Sequence, residues 1–321
     1  MKTAQDNAKT YWFMRMKQGA KGRDFAKELW QTHKLVGVMF GPWTIDHVLN
    51  DEGEPDPEKL TAEAIEKQCP QPEGIDNGRD FNDEFLRAPR TFLLDVSEND
   101  QVVVVFDEAI HIGTIGKYYK PDPNPPRGDY EEHFKCRPVR DTKSYPLADL
   151  PASYRLIVGT GRSAIQRINR YENLIRLLDD NDTPEGVKIA LGDTTTQEFL
   201  GLLSAEQWEV LCCEYLRDKV GLRLLLLAVG GTLKDVDIYG VDQDGHRVLA
   251  QCKNDPEPWK RERLVEWTSK VARNPGDSLY FFCRGGVEGG SDDLHCQTVD
   301  GEGISKWLDK DPGYLQHLKT L

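Results

Sequence analysis

Three stretches decide how this chain folds: Glu206-Gln-Trp-Glu-Val-Leu-Cys-Cys-Glu-Tyr-Leu-Arg217, Gly230-Gly-Thr-Leu-Lys-Asp-Val-Asp-Ile-Tyr-Gly240 and Val248-Leu-Ala-Gln-Cys-Lys-Asn254. The first has apolar residues at helical spacing, whereas the other two are short apolar runs of strand length. Between the two strands lies Asp242-Gln-Asp-Gly-His246, whose Asp-Gly pair predicts a hairpin turn. Gln251 and Lys253 are two apart and share one face of their strand, while Cys252 points the other way. The hairpin then brings Asp237 beside them.

Outward from this core the pattern continues. Leu222 to Val229, bounded by Gly221 and Gly230-Gly231, predicts the strand after the helix. Pro258 to Arg273 reads as an amphipathic helix that buries Trp259, Leu264, Trp267 and Val271, and Ser278-Leu-Tyr-Phe-Phe-Cys283 as a buried strand. A helix between two buried strands implies a parallel crossover. Arg284 to Gly290 is Gly-rich loop, and Ile304-Ser-Lys-Trp-Leu308 starts a terminal helix. The predicted order is helix, three strands, helix, strand.

That order gathers acidic, amide and ammonium groups. Asp237, with Glu209 and the backbone carbonyl of Cys252, offers hard oxygen ligands suited to Mg²⁺ or Mn²⁺. Lys253 is placed to position or deprotonate a water, and a metal there would stabilise charge on a phosphate. Each residue alone has an ordinary reading: Glu209 as a solvated helix residue, with Glu214 as a rival on the same helix, and Lys253 as a surface strand residue. The surrounding strand, Val248-Leu-Ala-Gln-Cys-Lys253, is apolar enough that a buried Lys there requires a partner.

Trp208-Glu209, the glycine-led strand ending in Val236-Asp237-Ile238, and Gln251-Cys252-Lys253 together resemble the Mrr-type restriction endonucleases of the PD-(D/E)xK superfamily. The resemblance spans about 120 residues, the C-terminal third of the chain. It implies an αβββαβ α/β nuclease domain over residues 201–321, with Glu209, Asp237, Gln251 and Lys253 as catalytic residues and a Mg²⁺ or Mn²⁺ ion at Asp237, Glu209 and the Cys252 carbonyl. Thr232-Leu-Lys-Asp235 stands where the family more often runs Asp-Gly-Gly, which leaves Asp235 as an alternative to Asp237.

Residues 1–170 carry short strands punctuated by Gly and Pro: Thr10-Tyr-Trp-Phe-Met-Arg-Met16, expected at a sheet edge, Leu35 to Trp43, Gln101-Val-Val-Val-Val-Phe106, Ala109 to Tyr119 and His133 to Arg140. They predict a small, mainly β barrel of α+β class. Tyr11 to Arg15, Val38-Met-Phe-Gly-Pro-Trp43, Ile112 to Tyr119 and Arg137-Pro-Val-Arg140 are similar to PUA-like folds, including EVE-type domains. That similarity implies a reader of modified bases, in which a flipped base stacks between aromatics. The candidates are Trp12, Phe40, Trp43, Tyr118 and Tyr119, although aromatics in small barrels are mostly core. Arg15, Arg137 and Arg140 either touch phosphates or lie on a solvated face.

The helix Asn169 to Leu178 and the breaker Asp179 to Gly186 place a helical linker at 171–200. An acidic insertion runs from Asp51 to Glu58 and on towards residues 68–80, and the Pro-rich loop Lys120 to Gly128 forms a rim beside Tyr118-Tyr119. With 321 residues the chain accommodates two cores.

No apolar run reaches spanning length, and the first residues lack a signal-peptide core, so a cytoplasmic location away from membranes is expected. Seven cysteines without a CxxC pair or a Cys/His ligand spacing predict reduced thiols and no zinc site. The net charge is −13, of which residues 201–321 contribute −5 (15 Lys+Arg against 20 Asp+Glu). Any DNA-binding face is therefore a local basic patch on an acidic body, and its nonspecific affinity is modest. Taken together the expectation is a metal-dependent endonuclease acting on DNA, directed by a modified-base reader, in prokaryotic restriction or anti-phage defence. A homodimer is expected because cutting two strands with one site each requires two sites. A noncatalytic reader of modified DNA or RNA is the alternative, as is a nuclease whose first domain senses a nucleotide or a partner protein.

Overall fold

The computed structural model describes residues 9–16, 26–39, 45–68, 86–117, 134–159, 164–169, 171–227, 235–271, 274, 276–289 and 295–320. The chain divides between Val187 and Lys188 into two units.

Unit 1 is built on β1 (Tyr11–Met14), β2 (Leu35–Met39), β3 (Gln101–Phe106), β4 (Ala109–Ile115), β5 (Phe134–Pro146) and β6 (Ile165–Arg167), in the order β2-β5-β4-β3-β1-β6. The sheet is mixed, because β1 runs parallel to β3 while the other pairs are antiparallel. It curls into a half-barrel, open between β2 and β6 among the described residues, rather than a closed barrel. Nor is β1 an edge strand: it pairs on both sides and all four of its residues are buried. The reason is compositional, since Tyr-Trp-Phe-Met is a continuous apolar run and suits a strand covered on both faces.

Asp107 and Glu108, with φ of 47° and 54°, close the β3–β4 hairpin in the doubly left-handed geometry that matches strand twist. Helices α1 (Ala62–Gln68), α2 (Arg87–Arg90), α3 (Ser153–Gly159) and α4 (Glu172–Asp179) complete the unit. The core gathers Trp12, Met14, Trp30, Val36, Phe92, Leu93, Val102 and Val104. Helix α4 is not a free linker. It buries Leu174, Ile175 and Leu178, and its buried Asp179 accepts hydrogen bonds from Lys9 Nζ (2.8 Å) and the Tyr11 hydroxyl (3.1 Å).

The division falls inside α5 (Pro184–Asp193). Unit 2 continues with α6 (Thr196–Leu202), α7 (Ala205–Val220), β7 (Arg223–Leu227), β8 (Ile238–Val241), β9 (Arg247–Lys253), α8 (Arg261–Val271), β10 (Ser278–Cys283), β11 (Gln297–Val299), α9 (Gly301–Leu308) and α10 (Pro312–Thr320). From α7 to β10 the order helix, three strands, helix, strand is realised. Capping boxes start α6 at Thr195 and α7 at Ser204, and Gly221, with φ of 62°, ends α7.

The second sheet runs β11-β10-β9-β8-β7. The strands β7, β8 and β9 form an antiparallel meander, and α8 crosses over to place β10 parallel to β9, with β11 parallel beyond it. Leu264, Trp267 and Val271 of α8 pack on Leu249, Leu279 and Phe281 of the sheet. β7 ends this sheet among the described residues and is bulged at Leu225, leaving Leu225 60% and Leu226 40% exposed.

Candidate active site

The site forms where β8 and β9 part. Their ladder ends at Ile238 opposite Ala250, with one further backbone bond from the Asp237 N–H to the Ala250 carbonyl (2.9 Å). Beyond that point the Asp237 side chain takes over. Its Oδ2 accepts the Cys252 backbone N–H at 2.7 Å and the side-chain amide of Gln251. Within an extended strand a residue's N–H and C=O face the same edge, so the Cys252 carbonyl lies on the edge that Asp237 occupies. The Lys253 carbonyl faces the opposite edge, where it accepts the Arg284 N–H at 3.1 Å.

Side chains on β9 alternate between two environments. Leu249, Gln251 and Lys253 share the face covered by α8, and Gln251 is buried. Cys252 faces α7, where its thiol hydrogen-bonds that of Cys212. Both thiols are pushed upward in pKa, first by burial; the carboxylates of Glu209 and Asp237 push each further in the same direction. Two carboxylates from distant segments, Glu209 on α7 and Asp237 just before β8, thus act on one pair of sulfurs. Oε2 of Glu209 is buried, as is that of Glu206 one turn earlier on α7.

The rivals are placed elsewhere. Glu214 forms a surface ion pair with Arg217 at 2.6 Å. Asp235 adopts a left-handed φ of 68°, and its carbonyl accepts the Trp267 indole N–H at 2.5 Å. Asp237 Oδ1 is open among the described residues, and an Asp carboxylate, a Glu carboxylate and a backbone carbonyl are oxygen donors of the chemical kind a hard divalent cation takes.

A second set of ligand atoms lies in the hairpin turn. Asp242, Asp244 and His246 each present one atom, all within 4.8 Å of one another. The Asp242 carboxylate already shapes the turn by accepting the N–H groups of Asp244 and His246, both at 2.9 Å. Desolvation alone would raise its pKa, but these bonds and the His246 ring hold it below the usual value. The sequence shows this stretch as a turn and hides the trio, because only the turn brings alternate residues together.

Sequence reasoning also missed the setting of Lys253. Its Nζ lies 5.9 Å from the centroid of the Trp259 ring, and among the described residues no hydrogen bond or ion pair holds it. Trp259 itself precedes α8 rather than belonging to it, and bridges to Val287.

In unit 1 the structure describes one of the five expected base stackers, Trp12. Trp12 is a core residue that donates its indole N–H to Asp100 at 2.8 Å. Phe40, Trp43, Tyr118 and Tyr119 lie outside the described residues, as do Gly230 to Lys234, the acidic stretch 69–85 and the Pro-rich loop. Arg137 is buried rather than available to a phosphate: it donates to the carbonyls of Gly116 (2.9 and 3.0 Å) and Val96 (2.5 Å). Arg15 and Arg140 are exposed, and Arg140 donates to Asn99.

No helix among the described residues is long and apolar enough to cross a membrane. Comparison with known proteins finds no matching family model, curated protein or solved structure.

Proposed function

We propose that unit 2 is a metal-dependent endonuclease that hydrolyses phosphodiester bonds in DNA. The observation that carries this reading is Asp237, drawn from a different strand and fixed against Gln251 and the Cys252 N–H, on the face from which Lys253 projects. Asp237, Glu209 and the Cys252 carbonyl would hold Mg²⁺ or Mn²⁺. When bound, that ion supplies charge stabilisation at the phosphate and lowers the pKa of a coordinated water.

The chain's own groups divide the remaining work. Gln251 orients Asp237 by donating to Oδ2, which leaves Oδ1 as the oxygen that would hold the ion. Lys253 contributes N–H donors that orient the attacking water or a phosphate oxygen as negative charge develops. Charge-assisted bonds of this kind are short and strong in a partly desolvated cleft.

Unit 1 is assigned, on the PUA-like resemblance of its sequence, as the reader that directs cleavage to base-modified DNA. The whole chain is then a modification-dependent restriction or anti-phage enzyme of the prokaryotic cytoplasm, acting as a dimer where both strands are cut. The assay compares two DNAs of identical sequence, one unmodified and one carrying modified cytosines, with Mg²⁺ or Mn²⁺. Wild type is expected to cut the modified DNA, and Asp237→Asn and Lys253→Ala to lose at least about 100-fold in rate while still binding it. Binding without cleavage by wild type under either metal overturns the nuclease and leaves a noncatalytic reader.

A further inference from the structure

One aromatic ring beside this site carries two cations. Lys253 reaches Trp259 from β9, and Arg263 reaches it from the first turn of α8, its Cζ 5.2 Å from the ring centroid. The ring is set firmly. The Trp259 backbone donates to the Gly286 carbonyl (2.9 Å) and accepts from the Glu288 N–H (3.0 Å), and the indole lies 5.9 Å from Phe281 of β10.

Two like charges brought to one ring repel each other unless something offsets the repulsion. A carboxylate between them would do so, but it would also neutralise the ammonium and occupy its donors. The face of an indole attracts a cation while leaving its charge and N–H groups available to a ligand. Among the described residues the two cations therefore remain open to an anion, and Lys253 extends from the strand whose Cys252 N–H bonds Asp237.

Resting on the reading of unit 2 as a DNA nuclease, we propose that Trp259 is a positioning residue that aligns Lys253, and that Arg263 on the same ring binds a phosphate of the DNA strand being cut. Kinetics of the full-length protein on DNA that wild type cleaves separate these roles. Trp259→Leu is expected to lower kcat by about 10- to 30-fold with KM little changed, and Trp259→Phe, which keeps a π face, to stay within about 3-fold of wild type. Equal losses in both variants, or unchanged kcat in Trp259→Leu, would overturn the role of the ring.

Arg263 is exposed on α8, so Arg263→Gln is expected to fold like wild type. It should raise KM and the DNA Kd by about 10-fold with kcat retained, and reduce the slope of log affinity against log salt by about 1. An unchanged slope overturns the phosphate contact even if Trp259→Leu proves unstable in a thermal melt. A wild type that binds DNA without cutting it fails the nuclease reading itself; the salt slopes of wild type and Arg263→Gln then still decide the phosphate contact.

Discussion

Strands β5 and β9 carry nearly the same pattern, Lys135-Cys136-Arg137 in one unit and Gln251-Cys252-Lys253 in the other. Each has two polar residues flanking a buried cysteine, each is paired on both sides, and each has a cation near an aromatic ring: Arg137 is 5.9 Å from Phe92 and Lys253 is 5.9 Å from Trp259. Their surroundings differ. Arg137 is almost fully buried and its donors meet backbone carbonyls, so its charge is used in holding the half-barrel together. Lys253 is only partly buried, keeps its donors open among the described residues, and has a carboxylate fixed at the next strand end. Whether a cation on a strand has its donors engaged or left open thus depends on what its surroundings present, not on its own spacing.

The sharpest break in this comparison comes from removing each charge while keeping an unbranched side chain. Arg137→Met leaves the Gly116 and Val96 carbonyls without those donors in the interior and is expected to lower unfolding free energy by about 3 kcal/mol. Lys253→Met should shift it by less than about 1 kcal/mol and, on the proposed nuclease reading, abolish cleavage. Urea unfolding of the two variants side by side checks this, and equal losses would erase the distinction.

His111 on β4 sharpens the comparison next. It is buried, hydrogen-bonded to Ser144 (2.7 Å) and the Phe106 carbonyl (3.3 Å), and stacked on Phe106. Burial lowers its pKa below 6.5. Because the folded value is depressed, the unfolded chain takes up the proton first. The stabilisation is complete above 6.5 and is lost as pH falls from there through the folded value. Thermal melts across this range should therefore show a fall worth up to about 1 kcal/mol, and the slope should flatten in His111→Gln. A slope identical in both proteins would remove His111 from the buried, structural class.

The smallest effect is expected at Leu225. Though apolar, it is 60% exposed on the bulged edge of β7, and Leu225→Thr should change stability by no more than about 0.5 kcal/mol. A loss above about 2 kcal/mol in the same urea titration would show that this edge is covered in solution.

The order of elements around the candidate site is legible in the sequence because its signals are local. Period-two spacing put Gln251 and Lys253 on one face, and the Asp-Gly turn fixed which strand Asp237 would join. The sequence favours Asp237 over Asp235 through its Val-Asp-Ile context and names Glu209 with Glu214 as a rival; the coordinates add that Glu214 pairs with Arg217 on the surface and that Asp235 has a left-handed backbone. Trp259 was read as a helix residue since its position depends on Val287, which folds back from beyond β10. In unit 1 the strands were recognisable but their neighbours were not. Nothing in Tyr11-Trp-Phe-Met14 reveals that its parallel partner is a strand some ninety residues later, Gln101–Phe106, so the sequence alone suggests an edge strand and a barrel where the structure has an interior strand and a half-barrel. Strand β11 is three residues long, too short for any periodic pattern to show.

The Asp237 carboxylate occupies the position a peptide carbonyl of β8 would fill if the ladder ran on, since it accepts the Cys252 amide in that strand's place. A group that closes a sheet in this way serves two masters: drawing it towards a cation or a substrate loosens the last rung, and restoring the rung draws it back. The amide of Cys252 is thereby a built-in gauge of where the Asp237 carboxylate sits, because it is the donor left without that partner when the carboxylate moves.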